Sequence, residues 1–190
     1  MIYDPKSDLH WYLQRAREAM LWKLDGLSEY DARRPLVPTG TSLLGLIKHL
    51  TGVEFVYFGT TFGRPCADED PWSEQDPMAD MFAFASESRE QIIGLYRKAW
   101  AHSDASMAAL DLDAVGHVPH WPASRSEVTL HRIALHVIDD TLRHAGQADI
   151  VRELIDGSAG LTQQRSNLPD GEFSWSEHWH RVEQAAKDAG

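Results

Sequence analysis

The chain has 190 residues, 43% hydrophobic and 25% charged, which suits one domain with a sizeable buried core. Its net charge of −11 opposes binding to nucleic-acid phosphates or anionic lipid, both of which need a cationic face. No run approaches the roughly 20 apolar residues of a membrane span, and the single cysteine, Cys66, rules out an intramolecular disulfide and favours a reducing, cytoplasmic setting.

Helical periodicity then runs from end to end. The first helix is predicted over about 7–27, with Leu9, Leu13, Ala16, Met20 and Leu24 at spacings of three and four. "YDARRPLVPTGTS" is read as a connection, because Pro35 and Pro38 disfavour helix in the residues before them. Thr41 or Ser42 can cap a second helix that runs to about Phe62, with Leu43, Leu46, Ile47, Leu50, Val53 and Tyr57 on a wide apolar surface. The acidic, proline-containing stretch that follows is a loop; acidic neighbours disfavour a thiolate at Cys66 within it.

A third helix is predicted over about 80–102 through Met81, Phe84, Ala85, Ile92, Leu95, Tyr96 and Ala99. Residues 103–125 read as an irregular, strand-poor crossover. A fourth helix is predicted from Ser126, with a bend at Gly146 and an end near Gly157, and a polar loop leads to a short terminal helix. The expected fold class is therefore all-α: a four-helix bundle over 1–157, with residues 158–190 packed on the same domain as a loop and short helix.

Sites in helical bundles are built from side chains on facing helices. Titratable residues set in apolar helix patterns are accordingly the candidates: His49 in "LIKHLTG", and His136, Asp140 and His144 in "LHVIDDTLRHAGQ". Residues at i and i+4 lie about 6 Å apart and can share a metal, whereas i and i+8 are separated by about 12 Å of rise. His136 and His144 cannot both reach one ion on a straight helix. Spacing leaves His136/Asp140 and Asp140/His144 as pairs, with His49 as a third ligand, beside the blander readings of a buried polar network or a solvated face.

Asp139 diverges by about 100° from Asp140 and is expected to face solvent. His117 and His120 lie in a loop and suit a pocket rim. Glu177 and His180 have the E-x-x-H spacing of di-iron bundles, but no second such motif exists. Phosphate-cradling glycine motifs, G-x-S-x-G and H-E-x-x-H are missing as well.

"TSLLGLIKHLTGVEFVYFG" together with "LHVIDDTLRHAGQADIVRELIDG" resembles the DinB-like superfamily, above all its actinobacterial mini-circle branch. The mycothiol-dependent maleylpyruvate isomerases are related to the same superfamily. The resemblance implies a DinB-like four-helix bundle holding one divalent metal, zinc or nickel, on His49, Asp140 and His144. His136 has no ligand role in that pattern, and Asp140 departs from the glutamate or histidine of many relatives. It further implies a metal-dependent transferase or isomerase that activates a low-molecular-weight thiol such as mycothiol, with a small-molecule substrate. Trp72, His120 and Trp121 are the expected pocket lining. Metal-dependent hydrolysis, non-haem iron chemistry and a non-catalytic stress-response role are the alternatives. Homodimerisation through an exposed apolar face is compatible with such a bundle.

Overall fold

Asp4 starts the first helix: its carboxylate accepts the backbone N–H of Lys6, and Pro5 fills the position where a missing N–H is harmless. The computed structural model describes residues 4–67, 76–166, 168–169 and 171–190. Helix α1 (Pro5–Trp22) buries Leu9, Leu13, Ala16 and Met20, the predicted stripe. It ends earlier than the predicted 27, because residues 23–26 turn and Gly26 adopts φ 73°.

Helix α2 (Glu29–Arg33) lies where the sequence suggested only a connection; at five residues it is too short to show a period. Helix α3 (Leu43–Glu54) is capped by Ser42, which accepts from the Gly45 amide. It passes directly into a π-helical turn (Phe55–Gly59) and a 3-10 turn (Thr60–Phe62). The predicted end near Phe62 stands, but the winding changes on the way.

Helix α4 (Arg89–Ala109) starts later and ends later than the predicted 80–102. Ser88 and Gln91 form a reciprocal capping box that fixes its start. Residues 77–87 are turns and bends rather than a first helical stretch. The crossover carries a short antiparallel hairpin, β1 (Val115–His117) paired with β2 (Glu127–Thr129), Gly116 opposite Val128. That pairing occupies residues 127–129, so helix α5 (Leu130–Asp156) starts after Thr129, its cap, and not at Ser126. It continues through Gly146 unbroken to Gly157, a left-handed C-terminal residue at φ 79°. Helix α6 (Trp175–Asp188), capped by Ser174, has no buried residue.

Helix α1 packs against α5 and α4, and α3 against α4 and α5, which arranges the long helices in a ring α1–α5–α3–α4. Among the described residues the fold is all-α apart from the small hairpin and a single bridge between Thr162 and Arg165. One core cluster gathers Leu13, Val53, Phe58, Met107, Leu130 and Val137, and a second gathers Met20, Leu43, Leu46, Leu50, Tyr96 and Ala148. A polar element sits inside the ring. Arg17 of α1 donates to both carboxylate oxygens of Glu54 at 2.6 Å and to Asp104 of α4 at 2.8 Å. Arg17 and Glu54 are fully buried.

Beyond α5, the carbonyl of Gly160 accepts from the Trp22 indole at 3.0 Å and from the Lys23 ammonium, and its amide donates to Asp149 at 2.6 Å. These bonds dock the start of the C-terminal segment on the ends of α1 and α5.

Candidate metal centre

Helices α3 and α5 bring three polar side chains together between them. His49 lies in α3, and Asp140 and His144 lie one turn apart in α5. Each is only partly buried, so the cluster sits at the edge of the core with access to solvent. Nε2 of His49 is 4.0 Å from Oδ2 of Asp140, and Nε2 of His144 is 3.7 Å from Oδ1 of Asp140. The imidazoles meet edge to face, with ring centroids 4.8 Å apart. One donor atom from each residue lies within 4.8 Å of the others, and no second such trio occurs among the described residues.

Both imidazoles are tied by their far nitrogens. Nδ1 of His49 is 2.6 Å from Oδ2 of Asp80, which is buried. Nδ1 of His144 is 2.7 Å from Oε1 of Gln147, one turn further along α5. A carboxylate or amide oxygen can only accept, so each Nδ1 carries a proton and each Nε2 is the nitrogen turned toward the trio. Burial lowers the His144 pKa from its ordinary value; the neighbouring His49 and Arg143 act in the same direction, against Gln147 and Asp140. Neutral imidazole, the form that binds metal, is thereby favoured.

The donor set fits a borderline divalent cation: two imidazole nitrogens, one carboxylate and an open side. Donors on bonds of about 2.1 Å in a tetrahedral site lie about 3.4 Å apart, a contraction from the 3.7 and 4.0 Å to Asp140 and from the spread of up to 4.8 Å across the trio found here. The short arm of Asp140 is long enough to sit between both rings.

Asp80 comes from a turn that Gly45 admits. The Met81 amide bonds to the Met78 carbonyl at 3.0 Å, and a Cβ added at Gly45 would overlap the Met81 carbonyl. Lys48 then holds the next few residues to α3, donating to Glu87 at 2.9 Å and to the Phe82 carbonyl at 3.3 Å. Gly45, Lys48 and His49 thus form one face of α3 that clasps the segment before α4.

An aromatic group flanks the trio. The Tyr57 hydroxyl accepts from the Trp121 indole at 3.2 Å and lies 3.2 Å from Nε2 of His120. His136 packs edge-on against the Tyr57 and Trp121 rings at centroid distances of 4.7 and 5.1 Å. Burial raises the Tyr57 pKa, the Trp121 bond opposes the rise, and the Asp140 carboxylate adds to it, which places the phenol within the field of the trio. Partial burial, with His136 nearby, lowers the pKa of His120.

The structure therefore brings His49, Asp140 and His144 into one cluster and sends His136 elsewhere, as the spacing requires. Asp139 is exposed, as expected. His117 lies exposed on β1 rather than in a loop, and Glu177 and His180 are exposed on α6. Trp72 lies outside the described residues. Periodicity does not reveal Asp80, at the start of a predicted helix that does not form there, or Tyr57, which lies on the apolar surface of the second predicted helix. Gln147 had a visible signal in its i+3 spacing from His144.

An all-α bundle with two histidines and a carboxylate on facing helices is a DinB-like protein in its construction. The chain belongs to the mycothiol-S-transferase family, whose profile matches residues 8–157. No match appears among the curated proteins. Among the described residues no helix is long and apolar enough to cross a membrane.

Proposed function

We propose that this protein is a metal-dependent transferase that joins a low-molecular-weight thiol, mycothiol by family, to an electrophilic small molecule. His49, Asp140 and His144 hold the divalent cation, zinc or nickel. The observation that carries the reading is the pair of Nδ1 tethers, on Asp80 and Gln147, which turn two Nε2 atoms toward one carboxylate.

A divalent cation bound there supplies Lewis-acid chemistry, lowering the pKa of a thiol in the open position so that sulfur is nucleophilic at neutral pH. The chain's residues do the rest. Asp80 and Gln147 orient the imidazoles. Tyr57 and Trp121 screen one flank from water. In the transfer itself the S–H bond breaks, an S–C bond forms, and the leaving group departs with the C–X electron pair. The thiol proton ends on the leaving group or on His120, whose lowered pKa keeps it neutral and able to accept. A reducing cytoplasm, where such thiols stay reduced, suits this chemistry.

The test is spectroscopic. Protein purified without chelator should carry close to one equivalent of zinc or nickel, and cobalt-substituted protein should change its visible spectrum when mycothiol is added. Absence of a change with mycothiol or any other low-molecular-weight thiol overturns the transferase reading. Turnover without thiol points instead to hydrolysis by water in the open position.

A further inference from the structure

Beside the trio, one turn back along α5, lies a cavity of about 370 Å³ lined by Trp121, Arg125, Arg132 and His136. Its chemistry differs from the rest of the surface. The protein as a whole carries a net charge of −11, yet two guanidinium groups and an imidazole converge here, with no carboxylate among the described residues of the lining. Neither Arg125 nor Arg132 makes an ion pair with a described residue, whereas Arg17, Arg33, Arg34, Arg89 and Arg152 all do.

The cavity's wall is rigid on one side. Trp121 is fixed by its indole bond to the Tyr57 hydroxyl and by edge contact with His136. Arg132, in the first turn of α5, stands over the Trp121 ring with its guanidinium carbon 5.6 Å from the centroid. Arg125 comes from the other side, out of the connection between β1 and β2, where its amide bonds to the Pro122 carbonyl at 2.8 Å. A planar guanidinium beside an indole face offers a carboxylate a two-pronged hydrogen bond and a flat group a stacking surface.

We infer that this cavity binds the carboxylate of a small, planar acidic co-substrate, the electrophile that receives the thiol, an inference that rests on the transferase reading above. Position supports it. His136 is one turn from Asp140, and the Tyr57 phenol touches both the cavity wall and the field of Asp140. A molecule anchored by its carboxylate on Arg125 and Arg132 therefore extends toward the open side of the trio. The β1–β2 hairpin, whose connection carries both residues, delivers Trp121 and Arg125 to that place.

Benzoate and benzamide, which share shape and differ in charge, are the probes, titrated into chelator-treated protein and followed at the Trp121 indole N–H resonance, assigned with Trp121→Phe. Metal-free protein separates the question from the metal and thiol readings, which can fail while the cavity still binds. Benzoate should shift the resonance saturably and benzamide should not. Both arginines are exposed, so the Arg125→Ala/Arg132→Ala double variant should fold normally and bind benzoate at least about tenfold more weakly. Equal binding of benzamide, undiminished benzoate binding by the double variant, or no saturable shift at all would each overturn the inference.

Discussion

Nδ1 of His49 donates to Oδ2 of Asp80 at 2.6 Å, joining a helix to the turn before the next helix through one charge-assisted bond. Asp80 reaches no donor atom of the trio except through that ring. It orients the imidazole, the role outer carboxylates play around metal-bound histidines. Replacing Asp80 by Ala should weaken zinc binding by about 10–100-fold, read by competition with a chromophoric chelator. Asp80→Asn keeps an acceptor oxygen but loses the charge, and should fall between. Wild-type affinity in Asp80→Ala would remove Asp80 from the site.

Gly45 governs the same bond from a distance. In an ordinary helix interior, Gly→Ala stabilises by roughly 0.5–1 kcal/mol. Here the added methyl would overlap the Met81 carbonyl. Gly45→Ala should instead destabilise by about 1–3 kcal/mol as overpacking forces the turn away, seen in urea denaturation. Because that turn carries Asp80, metal affinity should drop with it. A stabilised Gly45→Ala protein with unchanged metal affinity would show that the turn does not depend on this close approach.

The trio itself separates a functional from a structural site. Asp140 is partly exposed, and its side chain bonds to no backbone group among the described residues. Asp140→Ala should abolish zinc binding while the metal-free protein keeps its stability to within about 0.5 kcal/mol, as surface substitutions do. Large loss of stability in the metal-free variant would mean that the carboxylate belongs to the fold.

Periodicity made the long helices legible, because each buries one stripe: Leu9–Leu13–Ala16–Met20 on α1, and Leu43–Leu46–Ile47–Leu50 on α3. It also placed Asp140 and His144 on one side of α5, since i and i+4 repeat on any helix. Helix starts set by tertiary structure were not legible. Phe84 and Met81 have helix-like spacing, yet the Ser88–Gln91 capping box starts α4 later and the preceding residues turn back onto α3. Strands of three residues, as in the hairpin, carry no period at all. What was lost with these elements was function: Asp80 comes from the misassigned turn, and Arg125 from the missed hairpin. Short segments pinned by long-range bonds leave little trace in local sequence.

At the far end of α5, Arg152 donates to Asp156 at 2.6–3.0 Å and to the carbonyls of Lys23 and Asp25 at 2.8 and 2.9 Å. The hydrogen bond from Arg152, helped by Ser158, holds the Asp156 carboxyl below its ordinary range. A carboxylate whose folded pKa is depressed stabilises the fold above the unfolded value of about 3.9, and that contribution is lost as pH falls through the lower folded value. Asp156→Asn should therefore lower the melting temperature at pH 7 and flatten its decline between about pH 5 and pH 2. Parallel melting curves for the two proteins across that range would contradict the assignment.

The ion pair inside the bundle makes the last prediction. Arg17 and Glu54 are fully buried, and Arg17 is held charged by Glu54 and Asp104 against a strong desolvation penalty. Removing one partner strands the other in the core, so Glu54→Gln should cost about 3–5 kcal/mol in denaturant unfolding. Asp104 is partly exposed, and Asp104→Asn should cost less than about 1 kcal/mol. The double change Arg17→Met/Glu54→Leu replaces both charges by apolar groups of similar size, and its cost should be far below the sum of the single changes. Additive costs would mean that each side chain acts through its own packing and not through the pair. Metal affinity should be unaffected throughout, because neither residue contacts His49, Asp140 or His144, and a change in it would reveal a coupling between the buried pair and the cluster on α3 and α5.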